Sequence, residues 1–367
     1  MNQKGNNILS VLNDIEKIRE VDPDNMYNCI FDLPEQMEKA LKIAKDWKIN
    51  PDDFIDIKNI VVIGMGGSAI GGDLVRTYLQ SRIQIPFQVV RNYSLPEYID
   101  DESLVIASSY SGNTEETLSA LDDAIARKAM ITAISTGGLM EDICKFNEIP
   151  MAKLPEGMQP RAAIGYSFVP LFIFLEKVGI IKDAEKELMG VINLLKETRS
   201  AFIEDVETDK NNAKFYAGKL HGKMPIIYSG PTLTDIVAVR WKGQICENAK
   251  NMAFANHYAE FNHNELVGYA DAIKKHSKSL IVVQLRSTDE HKQITQRMDI
   301  VHKIILEFGI EVIEINSIGT TELERMFYLI QLGDFISYYL AVLNKEDPSP
   351  VKVITRLKDQ LAANKKK

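Results

Sequence analysis

The strongest constraint on the fold of this chain is a change of hydrophobic period near residue 55. Before it, apolar residues keep helical spacing. Leu33, Met37, Ala40, Leu41, Ala44 and Trp47 recur every three or four positions, and Pro51 closes the pattern. After it, short β-branched runs take over: Asn59–Ile63, Phe87–Val90, Leu104–Ser108 and Met130–Ile134, with helix-like segments between most of them. Continuous apolar strands alternating with helices predict a parallel sheet covered on both faces. A polar stretch from Glu197 to Lys219 reads as helix and linker, and then the alternation restarts. Met224–Gly230 and Ser279–Leu285 are the next strands, and Ile310–Ile315 alternates as an edge strand does. A long apolar helix follows Thr320. A chain of 367 residues favours two domains. The expected division is 1–200, with N-terminal helices and a first α/β domain, and 201–367, with a second α/β domain and a C-terminal helix.

Charge and cysteine usage narrow the function classes. The net charge is −8 and basic residues form no strong cluster, which argues against a nucleic-acid partner. The terminal Lys365-Lys366-Lys367 run reads as a solvated tail. Cys29, Cys144 and Cys246 stand far apart, which suits a reducing, cytoplasmic setting. After a polar start from Asn2 to Asn7, the apolar stretch Ile8–Leu12 is too short for the core of a signal peptide. No run approaches the ~20 apolar residues of a membrane span. The apolar run Phe168–Phe174 fits a buried helix.

Two strand ends carry informative loops. In an open parallel sheet, ligands bind beyond the carboxyl ends of the strands. The first loop, Gly64-Met65-Gly66-Gly67-Ser68-Ala69-Ile70-Gly71-Gly72, lets a backbone approach a ligand closely and opens a helix-like segment from Ala69 to about Leu79. The second, Ser108-Ser109-Tyr110-Ser111-Gly112-Asn113-Thr114-Glu115-Glu116-Thr117, ends a strand in hydroxyls. Ser109, Ser111 and Thr114 could converge there on one phosphate. Plainer readings stand beside these. The glycines can form a simple tight turn. They also fit the loose dinucleotide pattern Gly64-x-Gly66-x-x-Ala69, although Arg91-Asn92 stands where an acidic residue is expected. The hydroxyls can cap a helix that has Glu in its first turn.

Together these loops resemble the sugar-isomerase (SIS) fold. Further along, Pro160-Arg161-Ala162-Ala163, Glu247-Asn248-Ala249-Lys250, Asn262-His263-Asn264-Glu265 and Asp347-Pro348-Ser349-Pro350-Val351 follow in the order seen in bifunctional phosphoglucose/phosphomannose isomerases. The resemblance runs from about residue 25 to 362. Two departures flank the motifs: Cys246 where Asn is expected and Tyr269 where Trp is common. The resemblance implies an α/β fold of two SIS-type domains, each a mainly parallel sheet flanked by helices, with N-terminal and C-terminal helical extensions, the latter closing the site.

It also implies a reaction: interconversion of glucose 6-phosphate or mannose 6-phosphate with fructose 6-phosphate, without metal or cofactor. Ser68, Ser109, Ser111 and Thr114, with the Gly67 backbone, would hold the phosphate. Glu247 would be the base. The segment Thr234–Cys246 reads as a helix, with Glu247 at or just beyond its C-terminus, where the negative dipole end disfavours a carboxylate and suits a base. His263 would open the sugar ring and, by resemblance, reach the neighbouring subunit's site in a homodimer. Arg161 would stabilise the enediolate. Lys358 matches a C-terminal lysine of the family, with Arg356 as the alternative match, and Ser349 matches a small polar residue linked to the mannose reaction. His257 is set aside. No His/Cys/carboxylate cluster has metal-site spacing. The competing readings are a non-catalytic sugar-phosphate sensor, which needs neither Glu247 nor His263, an NADP-dependent oxidoreductase using Arg91, and an amino-sugar phosphate isomerase.

Overall fold

The structure is a computed structural model that describes residues 9–365. The polar segment Asn2–Asn7 and the terminal Lys366-Lys367 lie outside the described residues. The first sheet contains β1 (Asn59–Ile63), β2 (Phe87–Val90), β3 (Ser103–Ser109), β4 (Met130–Ser135) and β5 (Met151–Lys153). They run in the order β2-β1-β3-β4-β5, every pair parallel. The second contains β6 (Met224–Ser229), β7 (Phe254–His257), β8 (Leu280–Arg286) and β9 (Glu311–Asn316), in the order β7-β6-β8-β9, again all parallel. The second sheet therefore repeats the first four positions of the first.

Burial explains why most strands were readable. β3 is buried along its whole length and β1 from Ile60 onward, so these strands need apolar residues on both faces. β9 is a half-buried edge, as its alternation predicted. β5 and β7 left no such signal. β5 has three residues, and β7 is the partly exposed sequence Phe-Ala-Asn-His.

Seven of the helices bear on the site and its surroundings: α1 (Leu33–Asp46), α2 (Gly66–Leu79), α3 (Glu115–Ala126), α4 (Ile164–Lys177), α5 (Asp235–Ala249), α6 (Glu322–Asn344) and α7 (Lys352–Lys365). α2 starts three residues earlier than the sequence suggested, because Gly66 takes a left-handed φ of 51° that turns the chain into the helix. α6 begins with a reciprocal cap between Thr321 and Glu324. It is long and apolar enough to cross a membrane, yet its apolar window is wholly buried, and it is the central core helix. Phe168 of α4 meets Phe327 of α6 edge-on at 4.8 Å, joining the helical cover of the first sheet to α6.

The contact between α5 and α6 fixes one wall of the site. Trp241 Nε1 donates to the Leu329 carbonyl at 2.8 Å. A Cβ on Gly333 would lie 2.2 Å from that nitrogen, so only glycine lets the indole in. Arg240, Gln244 and Asn248 repeat at four-residue spacing along one face of α5. Arg240 and Gln244 each donate to a different oxygen of Asp334, at 2.6 and 2.9 Å, and Asn248 donates to Ser337 at 2.9 Å. Arg240 and Asp334 are almost fully buried.

The C-terminal extension departs from expectation. α7 exposes Val353, Ile354, Leu357 and Leu361, and its described side chains from Lys352 on are solvent-exposed. Val353, Leu357 and Leu361 recur at four-residue spacing but cover no surface among the described residues, so α7 does not close the site within one chain. The three cysteines are free thiols.

Removing one member of a buried ion pair strands its partner in a low-dielectric interior. Asp334→Ala is therefore expected to cost about 3–5 kcal/mol of stability. The urea midpoint of the variant, compared with the parent at matched pH, checks this.

Candidate active site

A cleft of about 480 Å³ opens between the two sheets. Its walls come from the carboxyl ends of strands, as the open-sheet rule requires. Gly66 and Gly67 follow β1, Arg91 follows β2, Asp235 follows β6 and His257 ends β7. Arg161 and Glu247 complete the wall.

Arg161 is the junction. It sits in a single 3-10 turn, Pro160–Ala162, and is only 4% exposed. Its Nε donates to Asn248 at 2.6 Å, one terminal nitrogen reaches the Glu247 carboxylate at 3.5 Å, and the other donates to the carbonyls of Pro348 and Ser349 at 2.6 and 2.8 Å. Burial presses the guanidinium below its usual range, and the Glu247 charge acts against that shift. Gly67 is required here by close approach, since a Cβ would lie 2.5 Å from the Pro160 carbonyl.

Glu247 lies in the last turn of α5, which runs on to Ala249, rather than beyond the helix end. The unfavourable helix end expected around it is offset by two cations. Arg161 faces the carboxylate, and Lys250 Nζ donates to the Glu247 carbonyl at 2.8 Å and to the Pro348 carbonyl at 3.1 Å. Lys250 reaches back because it caps the helix in the left-handed conformation, with φ 51°. The Pro348–Ser349 backbone is thus held from both domains, and Ser349 is buried beside Arg161.

The hydroxyl loop forms a compact cradle at the end of β3. Ser109 Oγ donates to Thr114 Oγ1 at 3.0 Å and accepts from the Gly112 amide at 3.1 Å. Ser68 Oγ accepts from the Tyr110 amide at 3.0 Å. Ser111 is exposed, and its hydroxyl accepts from the Asn113 amide at 3.3 Å. The capping reading needs correction. Thr114 stands at the N-cap of α3, but its side chain makes no cap hydrogen bond; its oxygen is engaged by Ser109 instead.

Of the expected residues, Gly67, Arg161 and Glu247 line the cleft, whereas Ser68, Ser109, Ser111, Thr114, His263 and Lys358 do not. His263 is exposed in a 3-10 turn, Glu260–His263, and does not line the cleft. Lys358 is exposed on α7, which stands away from the cleft, while Arg356 lines a separate groove of about 500 Å³ with Gln159 and Ser349. Among the titratable cleft residues, Asp73, Arg76 and Asp235 escaped the sequence reading of the site, and His257, which that reading set aside, lines the cleft with them. Gly66, Asp73 and Arg76 share a face of α2 at spacings of seven and three, the one local signal that could have revealed two of them. Asp73 pairs with Arg91, the residue that kept the dinucleotide reading open, and lies 3.7 Å from Arg76. Burial pushes the Asp235 carboxyl up to about 6.

The departures from the family pattern are accommodated: Cys246 is half-buried against the core, and the Tyr269 hydroxyl lies 2.9 Å from that of Tyr228. The second sheet carries its own version of the cradle. β8 occupies the position of β3, and the loop after it, Ser287-Thr288-Asp289-Glu290, adds carboxylates to its hydroxyls. Glu290 lies against Gly230, where a Cβ would meet its Oε2 at 1.9 Å, and its Oε1 accepts from Thr234 at 3.0 Å just ahead of α5. Burial pushes this carboxyl up to about 7 from an ordinary 4.5. The folded protein then holds a proton that the unfolded chain releases. Stability from this group is present at low pH and is lost as pH rises from about 4.5 to about 7. Glu290→Gln is expected to raise the urea midpoint at pH 8 relative to the parent, with the gain shrinking toward pH 4.5; a gain independent of pH would contradict this account.

Comparison with known proteins agrees with this architecture. Residues 53–168 match the SIS domain model, and residues 209–361 match the bacterial phospho-glucose isomerase C-terminal SIS domain. A bifunctional phosphoglucose/phosphomannose isomerase of Caldicellulosiruptor bescii is 45% identical, the match covering 92% of this chain and 99% of that protein. One from Aquifex aeolicus is 34% identical, over 89% of this chain and 99% of that protein. Among solved structures, a hypothetical protein of Thermus thermophilus superposes with a TM-score of 0.72 at 15% identity, covering 95% of this chain and 94% of that one, a likeness of fold.

Proposed function

Because this chain belongs to the bifunctional phosphoglucose/phosphomannose isomerase family, we propose that its interdomain cleft is where it interconverts glucose 6-phosphate and mannose 6-phosphate with fructose 6-phosphate, with Glu247 as the base. The observation that carries the assignment is the pairing of a half-exposed carboxylate with a buried, fully engaged guanidinium 3.5 Å away, in a cleft built from strand ends.

The chemistry runs as a proton transfer between adjacent carbons. The hydroxyls of Ser68, Ser109, Ser111 and Thr114, with the Gly67 backbone, hold the phosphate as neutral donors. His263 passes a proton to the ring oxygen, the bond from C1 to that oxygen breaks, and the C1 hydroxyl gives up its proton to solvent as C1 becomes the aldehyde. Glu247 removes the proton from C2 of the aldose, and the C2–H electrons form the C1–C2 double bond while the C1 oxygen takes the negative charge. Arg161 stabilises that charge from a position too buried to be screened by water. The proton of the C2 hydroxyl passes to the C1 oxygen, and the carboxylic acid returns its proton to C1 as the C2 oxygen becomes the ketone, giving the ketose. Glucose and mannose phosphates share this enediolate, so rotation of the open chain about C2–C3 lets one base serve both.

His263 lies outside the cleft of its own chain, which supports a homodimer in which each subunit's His263 enters the other's cleft. The exposed apolar side of α7, with Lys358 and Arg356, is the remaining element with no role within one chain. Free thiols suit a reducing, cytoplasmic setting for the enzyme.

Glu247→Gln, which keeps shape but removes the base, is expected to lower formation of both aldose phosphates from fructose 6-phosphate by roughly 10²–10⁴-fold. Separate quantification of the two products by the chelator-treated protein, with phosphosugar binding measured in parallel, checks it; retained turnover would remove Glu247 from the role. Sharing of sites has its own signature. Glu247→Gln and His263→Ala proteins, each left with only a small residual activity alone, are expected to regain about a quarter of parental activity after mixing and subunit exchange, because each mixed dimer contains one intact site. No recovery despite demonstrated exchange would place both residues in the same subunit's site.

A further inference from the structure

The turn that carries His263 is held on both sides by one buried tyrosine. Tyr228 lies on β6 and is fully buried. Its ring stacks on Phe261, two residues before His263, with centroids 4.1 Å apart and planes 1° from parallel. Its hydroxyl donates to Glu265, two residues after His263, at 2.5 Å. The other Glu265 oxygen accepts from Asn256 at 2.6 Å. Asn256 is the β7 residue that pairs with Tyr228 in the sheet, so the carboxylate spans two neighbouring strands at one register position. Burial pushes the Tyr228 phenol upward, which keeps it protonated and able to donate. Tyr269, whose hydroxyl is 2.9 Å away, completes the cluster.

We propose that Tyr228 is a positioning residue for His263, its ring fixing the turn ahead of the imidazole and its hydroxyl, through Glu265, fixing the chain behind it. The inference rests on the reading of His263 as the ring-opening group. A turn left free would sample many orientations of an exposed imidazole. Proton transfer to a ring oxygen needs one of them, so the clamp acts on turnover and leaves phosphate binding alone. A purely structural tyrosine could be satisfied by any neighbour; here the two contacts bracket a three-residue segment centred on His263.

The test is a cycle of Tyr228→Phe and His263→Ala in the full-length protein. Tyr228→Phe keeps the stacked ring and removes only the hydroxyl. It is expected to lower kcat for fructose 6-phosphate about tenfold while KM changes less than about twofold. In the His263→Ala background the same change is expected to cost less than about twofold further, because the group being positioned is gone. Glu265→Gln, which retains an acceptor, is expected to keep more activity than Glu265→Ala and serves as the second variant if Tyr228→Phe folds poorly. An equal loss with or without His263 would overturn the proposal and reduce Tyr228 to a core residue. Full activity of His263→Ala would instead remove the role of His263 on which the inference rests, an outcome distinguishable because it needs no change at Tyr228.

Discussion

A guanidinium with almost no access to water ties this molecule together. Arg161 comes from a short turn after the first sheet, yet its partners lie on α5 and on the segment beyond α6. Burying such a charge is costly unless its donors are used, and here each nitrogen has an acceptor, most of them neutral. A second buried arginine supports the arrangement from below. Arg240 donates to the Arg161 carbonyl at 3.1 Å and to Asp334 at 2.6 Å, so the α5–α6 contact and the Arg161 turn are one network. Glu247 owes its place to this network: the helix that carries it is fixed by Arg240 and Asn248, and its carboxylate faces the guanidinium.

Much of the fold was legible because burial on both faces leaves a loud signal. Ile60–Ile63, Leu104–Ala107 and Leu280–Leu285 are apolar nearly throughout, and all three belong to interior strands. β7 was missed for the opposite reason, since an edge strand with Asn and His in it has no apolar pattern to read. The core helix α6 was legible through its length and apolar content. The fate of α7 was not, because the spacing of Val353, Leu357 and Leu361 is that of a buried face, whereas all three are exposed.

The site was readable only in part. Glycine at 67 and the hydroxyls after β3 belong to loops whose composition points to phosphate. Glu247 and Arg161 are single residues in ordinary contexts, and only their motifs singled them out. Asp73 and Arg76 share α2, but Asp235 and His257 come from other elements and meet them only in the folded cleft, so no single local pattern could assemble all four. The duplicated topology adds a contrast that sequence alone did not reveal. The loop after β3 ties Ser109 to Thr114, whereas the loop after β8 turns Glu290 back onto Thr234.

The way Arg161 is held bears on how one pocket can handle two sugars that differ in the configuration of a single carbon. Its donors pin the first domain to α5 and to the Pro348–Ser349 backbone at once, and sliding one half against the other would strip a buried cation of its acceptors. Opening and shutting of the halves is therefore a poor source of adaptability for this enzyme. With Glu247 as the proposed base, the conformational latitude needed to present either C2 hydrogen to it belongs to the acyclic sugar, and tolerance of both epimers is then a property of what the wall leaves unconstrained.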